Sequence, residues 1–206
     1  MISNFKFLPA QAGQISNSKN GFTIIELIII IGLITILPAI VISNFSAIKL
    51  QFALSRASYK FAQDLRVAQN LALSSKPYID ANGQEQLIAG YGVYFDANLN
   101  SAMGNKKYII YADKNDLGNA DSQYTAEDYV VSQIDFSLTE PGIIIKETAN
   151  PFGNTASVNF SPPNPITTIY SAGQSQTKID IVFAIESDLE KTKTVSINTS
   201  GLVEVK

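Results

Sequence analysis

The chain of 206 residues holds no cysteine and no histidine. That removes thiolate and imidazole chemistry together: disulfide staples, thiol nucleophiles, His ligands for metals and His general bases. The serines have no imidazole partner, and no glycine-rich phosphate loop occurs. Glu127 and Asp128 are sequence neighbours in a predicted loop rather than convergent acids, so no catalytic constellation stands out and the chain is not expected to be an enzyme. Oxygen ligands are the remaining metal chemistry. Asp113, Asn115, Asp116 and Asp121, with Gly118 available for a turn, set hard oxygen donors at the odd spacing that a Ca2+ loop uses. Leu117 stands where an EF-hand places an oxygen ligand and no glutamate closes the set, so the stretch is not an EF-hand. Asp96, Asn98 and Asn100 form a thinner second group. The competing reading of both groups is turn formation, which Asp, Asn and Gly favour without any cation.

Glu26 is chemically unusual because of its surroundings. It is the one charge in the 21-residue run from Phe22 to Ile42, FTIIELIIIIGLITILPAIVI. That run has about the length needed to span ~30 Å of hydrocarbon as a helix. A carboxylate inside such a helix costs roughly 2.5–3.5 kcal/mol on the insertion scale, so it calls for a partner. Cleavage between Gly21 and Phe22 would create one. The new α-amine at Phe22 would sit one helical turn from Glu26, and the carboxylate would lie in the first turn, where the helix dipole favours it. Lys6 and Lys19 precede the run, which orients the N-terminus to the cytoplasm and the body outside. A secretory signal peptide fits less well, because the apolar run is longer than its core and no A-x-A pattern follows.

The residues Gly21-Phe22-Thr23-Ile24-Ile25-Glu26-Leu27 resemble the cleavage and methylation motif of type IV prepilins and type II secretion pseudopilins. The resemblance implies cleavage after Gly21 by the membrane prepilin peptidase, N-methylation of Phe22, and a role for Glu26 in registering subunits in a filament. It also implies the partners: other pilin or pseudopilin subunits, that peptidase, and an inner-membrane assembly platform. On this reading residues 1–21 are a leader and 22–42 a transmembrane helix of a single-pass inner-membrane protein that later joins a filament.

The elements that must carry these residues follow from periodicity. Beyond Ile42 the chain stays helical in pattern to about Ser75, where Pro77 disfavours helical geometry at Lys76. Phe45, Ile48, Phe52, Tyr59, Ala62, Leu65 and Ala72 recur near helical spacing, widened by Leu54, Ala57, Phe61, Ala68 and Leu71. Lys49, Gln51, Arg56, Lys60, Gln63, Asp64, Arg66 and Gln69 fill the opposite face. A helix from Phe22 to Ser75 would be roughly 80 Å long. Gly32 and Pro38 predict softening and a kink in its first half. Within residues 43–76, the segment from Ala57 to Ala72, with Asp64-Leu65-Arg66, also resembles the corresponding helix of the H-type pseudopilins and FimT-like minor pilins, which implies a minor subunit.

Residues 77–206 predict a β-rich head. Candidate strands are 90–95, 107–112, 129–136, 142–146, 156–160, 178–185, 192–198 and 202–205, the last two joined by a three-residue loop, Thr199-Ser200-Gly201. Residues 149–155 and 161–168 predict surface loops. The expected fold class is α+β, a long N-terminal helix with a membrane-spanning first half and an antiparallel sheet packed on its second half.

Charge bears on partners. Beyond Gly21 the chain has 13 basic and 18 acidic residues, a net of −5. Lys106-Lys107 and Lys191/Lys193 are the only close basic pairs, which argues against nucleic acid as a partner. The rival functions are a filament-tip binding subunit, DNA uptake included, and an unprocessed membrane-anchored outer domain.

Overall fold

A local hydrogen bond sets the start of the long helix. In the computed structural model, which describes residues 21–114, 121–148, 153–162 and 166–206, α1 runs from Ile24 to Leu73. The side chains of residues 40, 41, 43, 44, 147 and 148 are outside that description. Thr23 precedes the first helical residue, and its Oγ1 accepts from the Glu26 amide at 3.3 Å. That is an N-cap bond to one of the four amides a helix start leaves unpaired. At the other end the Ser75 amide donates to the Ala72 carbonyl (2.9 Å) and the Lys76 amide to Leu71 (3.3 Å). Ser75 itself is left-handed at φ 46°. This pair of bonds is a Schellman motif, and Pro77 follows it directly. The helix therefore stops where Pro77 predicts.

The chain divides into two units, Met1–Asn44 and Phe45–Lys206. In the first, the described large apolar side chains are exposed, among them Phe22 ahead of α1 and Ile25, Ile29, Ile34 and Leu37 on it. Among the described residues no helix is long and apolar enough to cross a membrane. The expected span 22–42 includes residues 40 and 41, whose side chains are outside the description.

The second unit is α+β, with every strand pair antiparallel. In chain order its elements are β1 (Tyr78–Ile79), β2 (Glu85–Gln86), β3 (Ile88–Asp96), β4 (Lys107–Lys114), β5 (Tyr129–Asp135), α2 (Phe136–Thr139), β6 (Ile143–Thr148), β7 (Thr155–Ser161), β8 (Ile166–Ser171), β9 (Gln174–Gln176), β10 (Lys178–Ile185), β11 (Asp188–Asn198) and β12 (Val203–Val205). They form a six-stranded sheet, β5-β4-β3-β7-β8-β9, a four-stranded sheet, β12-β11-β10-β6, and the small β1-β2 ribbon. The expectation of one sheet thus resolves into two larger ones.

Alternation decides which residues enter the core. Val93 and Phe95 of β3, Tyr108 and Ile110 of β4, and Val158 and Phe160 of β7 are buried, as are Ile181 and Phe183 of β10. α1 meets them with Leu54, Ala57, Phe61, Leu65, Ala68 and Ala72. Phe61 joins both sheets: its ring centroid lies 4.9 Å from Tyr108 and 5.3 Å from Phe183.

Four expectations are corrected here. Phe45, Ile48, Phe52 and Tyr59 are exposed, Phe52 at 62%. The sheets took the face where Ala57, Ala68 and Ala72 allow close approach, and those four lie off it. Asp64, expected on the polar face, is 3% exposed. Phe136 opens α2 rather than ending a strand, because the Asp135 side chain accepts from the Ser137 amide and caps a helix. Residues 166–168, expected in a loop, begin β8 on the flank of β7. The 198–202 hairpin matches its expectation, with Gly201 at φ 76° and the Gly201 amide donating to the Asn198 carbonyl.

Candidate functional site

The first candidate site is the 21–26 junction. Gly21 and Phe22 precede α1 and are exposed, Phe22 at 76%. Glu26 is exposed in the first turn of α1. Thr23 at the cap and Glu26 three positions into the helix have the spacing of a capping box. Thr23 was missed as a functional position, although the T-x-x-E pattern ahead of an apolar run was legible. Gly32 and Pro38 both lie inside α1, which continues past them. The Thr35 hydroxyl donates to the Gly32 carbonyl at 2.9 Å.

The second candidate is the acidic cluster on the six-stranded sheet, on the face turned away from α1. Asp113 lies there near the end of β4, 1% exposed, and its Oδ2 accepts from the Asn159 Nδ2 of β7 at 2.8 Å. Gly92 on β3 makes room for Tyr111, since a Cβ at that position would lie 2.6 Å from the Tyr111 ring. Residues 121–128 fold back over this face. The Tyr124 amide donates to Ser157 Oγ at 3.0 Å, and the Tyr124 ring meets Tyr111 at 5.4 Å. Burial, with the nearby charges of Asp128 and Asp121, raises the Asp113 carboxyl to about 7. Burial likewise lifts the Tyr111 phenol above its usual value.

Of the four residues expected to hold Ca2+, Asp113 and Asp121 line one cleft of about 400 Å³ together with Glu127 and Asp128. Asn115 and Asp116 lie outside the described residues. Among the described residues no group of three or more acidic side chains is arranged to hold a metal ion. Two of these carboxylates, Asp128 and Asp121, hold local backbone amides. Asp128 accepts from the amides of Lys114 (2.9 Å) and Thr125 (2.6 Å), and Asp121 accepts from the Gln123 amide (2.9 Å). The Asp96 group behaves in the same way: Asp96 takes the Asn98 amide and Asn98 the Asn100 amide.

The four lysines considered for nucleic acid are each engaged. Lys106 pairs with Glu186 (2.7 Å), Lys107 with Asp135 (3.4 Å) and Lys191 with Asp188 (3.1 Å). Lys193 lies 5.3 Å from the Tyr59 ring centre. Glu127 and Asp128 sit side by side in the 121–128 segment, with Asp128 committed to backbone amides. The buried Asp64–Tyr108 bond, at 2.6 Å, was not legible because 44 residues separate its ends.

Comparison with known proteins finds no matching family model, no matching curated protein and no matching solved structure.

Proposed function

We propose that this chain is a structural subunit, of the minor kind, of a type IV pilus or a type II secretion-like pseudopilus. On this reading it is cut after Gly21 by a prepilin peptidase and methylated on Phe22. One observation carries the reading. From Phe22 through the first turns of α1 to Leu37 the large apolar side chains are exposed, with Glu26 the single charge among them. A surface of that kind left in water drives association or membrane binding. The core of the Phe45–Lys206 unit is built from that unit's own residues and includes none of those apolar side chains. Lipid before assembly and sister helices afterwards are the covers that suit a long apolar rod. A cleaved Phe22 amine, from the same chain or a neighbour, is the partner that suits Glu26.

The absence of cysteine makes the test clean. Ile30→Cys, produced in a host with working pilus or secretion machinery, is oxidised and examined on non-reducing gels. Disulfide-linked dimers that require the assembly machinery are expected. Monomers alone, with the protein present in membranes, would contradict assembly through this helix.

A further inference from the structure

The outer face of the six-stranded sheet holds two clefts that share an aromatic wall. Tyr94 of β3 and Tyr124 of the 121–128 segment lie ring against ring, centroids 4.8 Å apart and tilted by 31°. One cleft, about 380 Å³, adds Asp96, Ser101, Lys107 and Gln133 to that pair. The other, about 180 Å³, adds Gln123, Thr155, Tyr170 and Ala172. Two residues in the left-handed region shape its backbone. Ala172 in its wall (φ 48°) forms with Gly173 (φ 75°) the two-residue turn between β8 and β9, and Ser122 beside Gln123 lies at φ 57°. Here they are held by the Ala172 amide on the Thr155 carbonyl (3.2 Å) and the Tyr124 amide on Ser157 Oγ.

We propose that these clefts together bind a neutral oligosaccharide. A pyranose presents an apolar C–H face ringed by hydroxyls. Phenol rings cover the first, while the Gln123 and Gln133 amides, the Thr155 hydroxyl and the Asp96 carboxylate can exchange hydrogen bonds with the second. The smaller cleft, ringed by hydroxyls and amides, is too polar for a lipid chain, while the larger adds Ala102 and Met103 beside Asp96 and Lys107. Both are poorly suited to a phosphodiester. Lys107 is the one cation in either wall, it is tied to Asp135, and Asp96 stands in the same cleft. Single-stranded nucleic acid needs a positive groove along its stacking platform.

The test uses the full chain in a non-glycosidic detergent. Maltotriose, cellotriose and triacetylchitotriose are titrated to millimolar concentrations and followed by tyrosine fluorescence, which no tryptophan obscures. Saturable binding of at least one trisaccharide is expected. It should weaken at least about tenfold in Tyr124→Ala and in Gln133→Ala, and persist in Tyr59→Phe. Gln133 is exposed on an edge strand, so its variant reports on the site even where loss of Tyr124 disturbs folding. No saturation with any trisaccharide, unchanged affinity in a folded Gln133→Ala, or saturable binding of oligothymidylate in their place would each overturn the proposal.

Discussion

The Tyr108 hydroxyl donates to the Asp64 carboxylate at 2.6 Å, joining β4 to the C-terminal part of α1 inside the core. Lys60, one turn earlier on the helix, pairs with the other Asp64 oxygen. A buried carboxylate is tolerable because both oxygens are satisfied. Burial and this acceptor push the Tyr108 phenol well above its ordinary value, so it stays a donor. Tyr108→Phe strands one buried oxygen and should lower stability by about 1–3 kcal/mol. Adding Asp64→Leu to that variant should recover part of the loss, because no buried charge is then left unpaired and the half-exposed Lys60 ammonium turns to solvent. Urea denaturation of the two variants checks both statements; equal stability of Tyr108→Phe and the native chain would contradict them.

Asp113 gives a pH signature. Its carboxyl titrates near 4 when unfolded and at about 7 when folded. Between those values the folded chain binds the extra proton, so this group's contribution to stability falls as pH rises through the window and is level above it. Asp113→Asn should therefore gain on the order of 1–3 kcal/mol at pH 8 and little at pH 4. Thermal unfolding at the two pH values reads the difference. A variant less stable at pH 8 would show that the carboxylate is held charged by something else.

These two acids mark how far the sequence reaches. The span of α1 and the strand-rich head are periodic features, and periodicity carried them. Which face of α1 packs depended on the sheets: Phe52 is larger and more apolar than Ala57, yet Ala57 is buried because strands approach a small residue more closely. Asp64 was read as polar and outward, since its Tyr108 partner is fixed only by the fold. β8 lay hidden in a stretch rich in Pro and Asn, and only its register against β7 reveals it. In the acidic cluster, Asp113 and Asp121 were legible as oxygen donors. Asn159, Tyr111 and Tyr124 were not, because sheet order, not sequence distance, brings them to Asp113.

The Gly92–Tyr111 contact tests the outer face. A methyl group at residue 92 would lie 2.6 Å from the ring, so Tyr111 would have to move with everything stacked on it. Gly92→Ala should cost about 1–3 kcal/mol, whereas Gly32→Ala, with nothing within 4 Å, should leave the head unaffected. Denaturation of the pair gives the comparison; a neutral Gly92→Ala would mean that Tyr111 is not locked over β3.

Glu26 has two separable contributions. As the third residue of a capped helix it has a local role that glutamine fills equally well. On the proposed function it is also the charge partner of a cleaved α-amine, a role that glutamine would not fill. Glu26→Gln should therefore leave helix formation and membrane content unchanged while filament assembly is lost, read by membrane fractionation and sheared-filament yield. Normal assembly in this variant would reduce Glu26 to a cap.

The proposed function depends on cleavage after Gly21, and the N-terminus of the native protein tests it most directly. Intact mass and N-terminal analysis of protein from a host with an active prepilin peptidase should find a chain that begins at N-methylated Phe22. A chain that still begins at Met1 under those conditions would contradict the account.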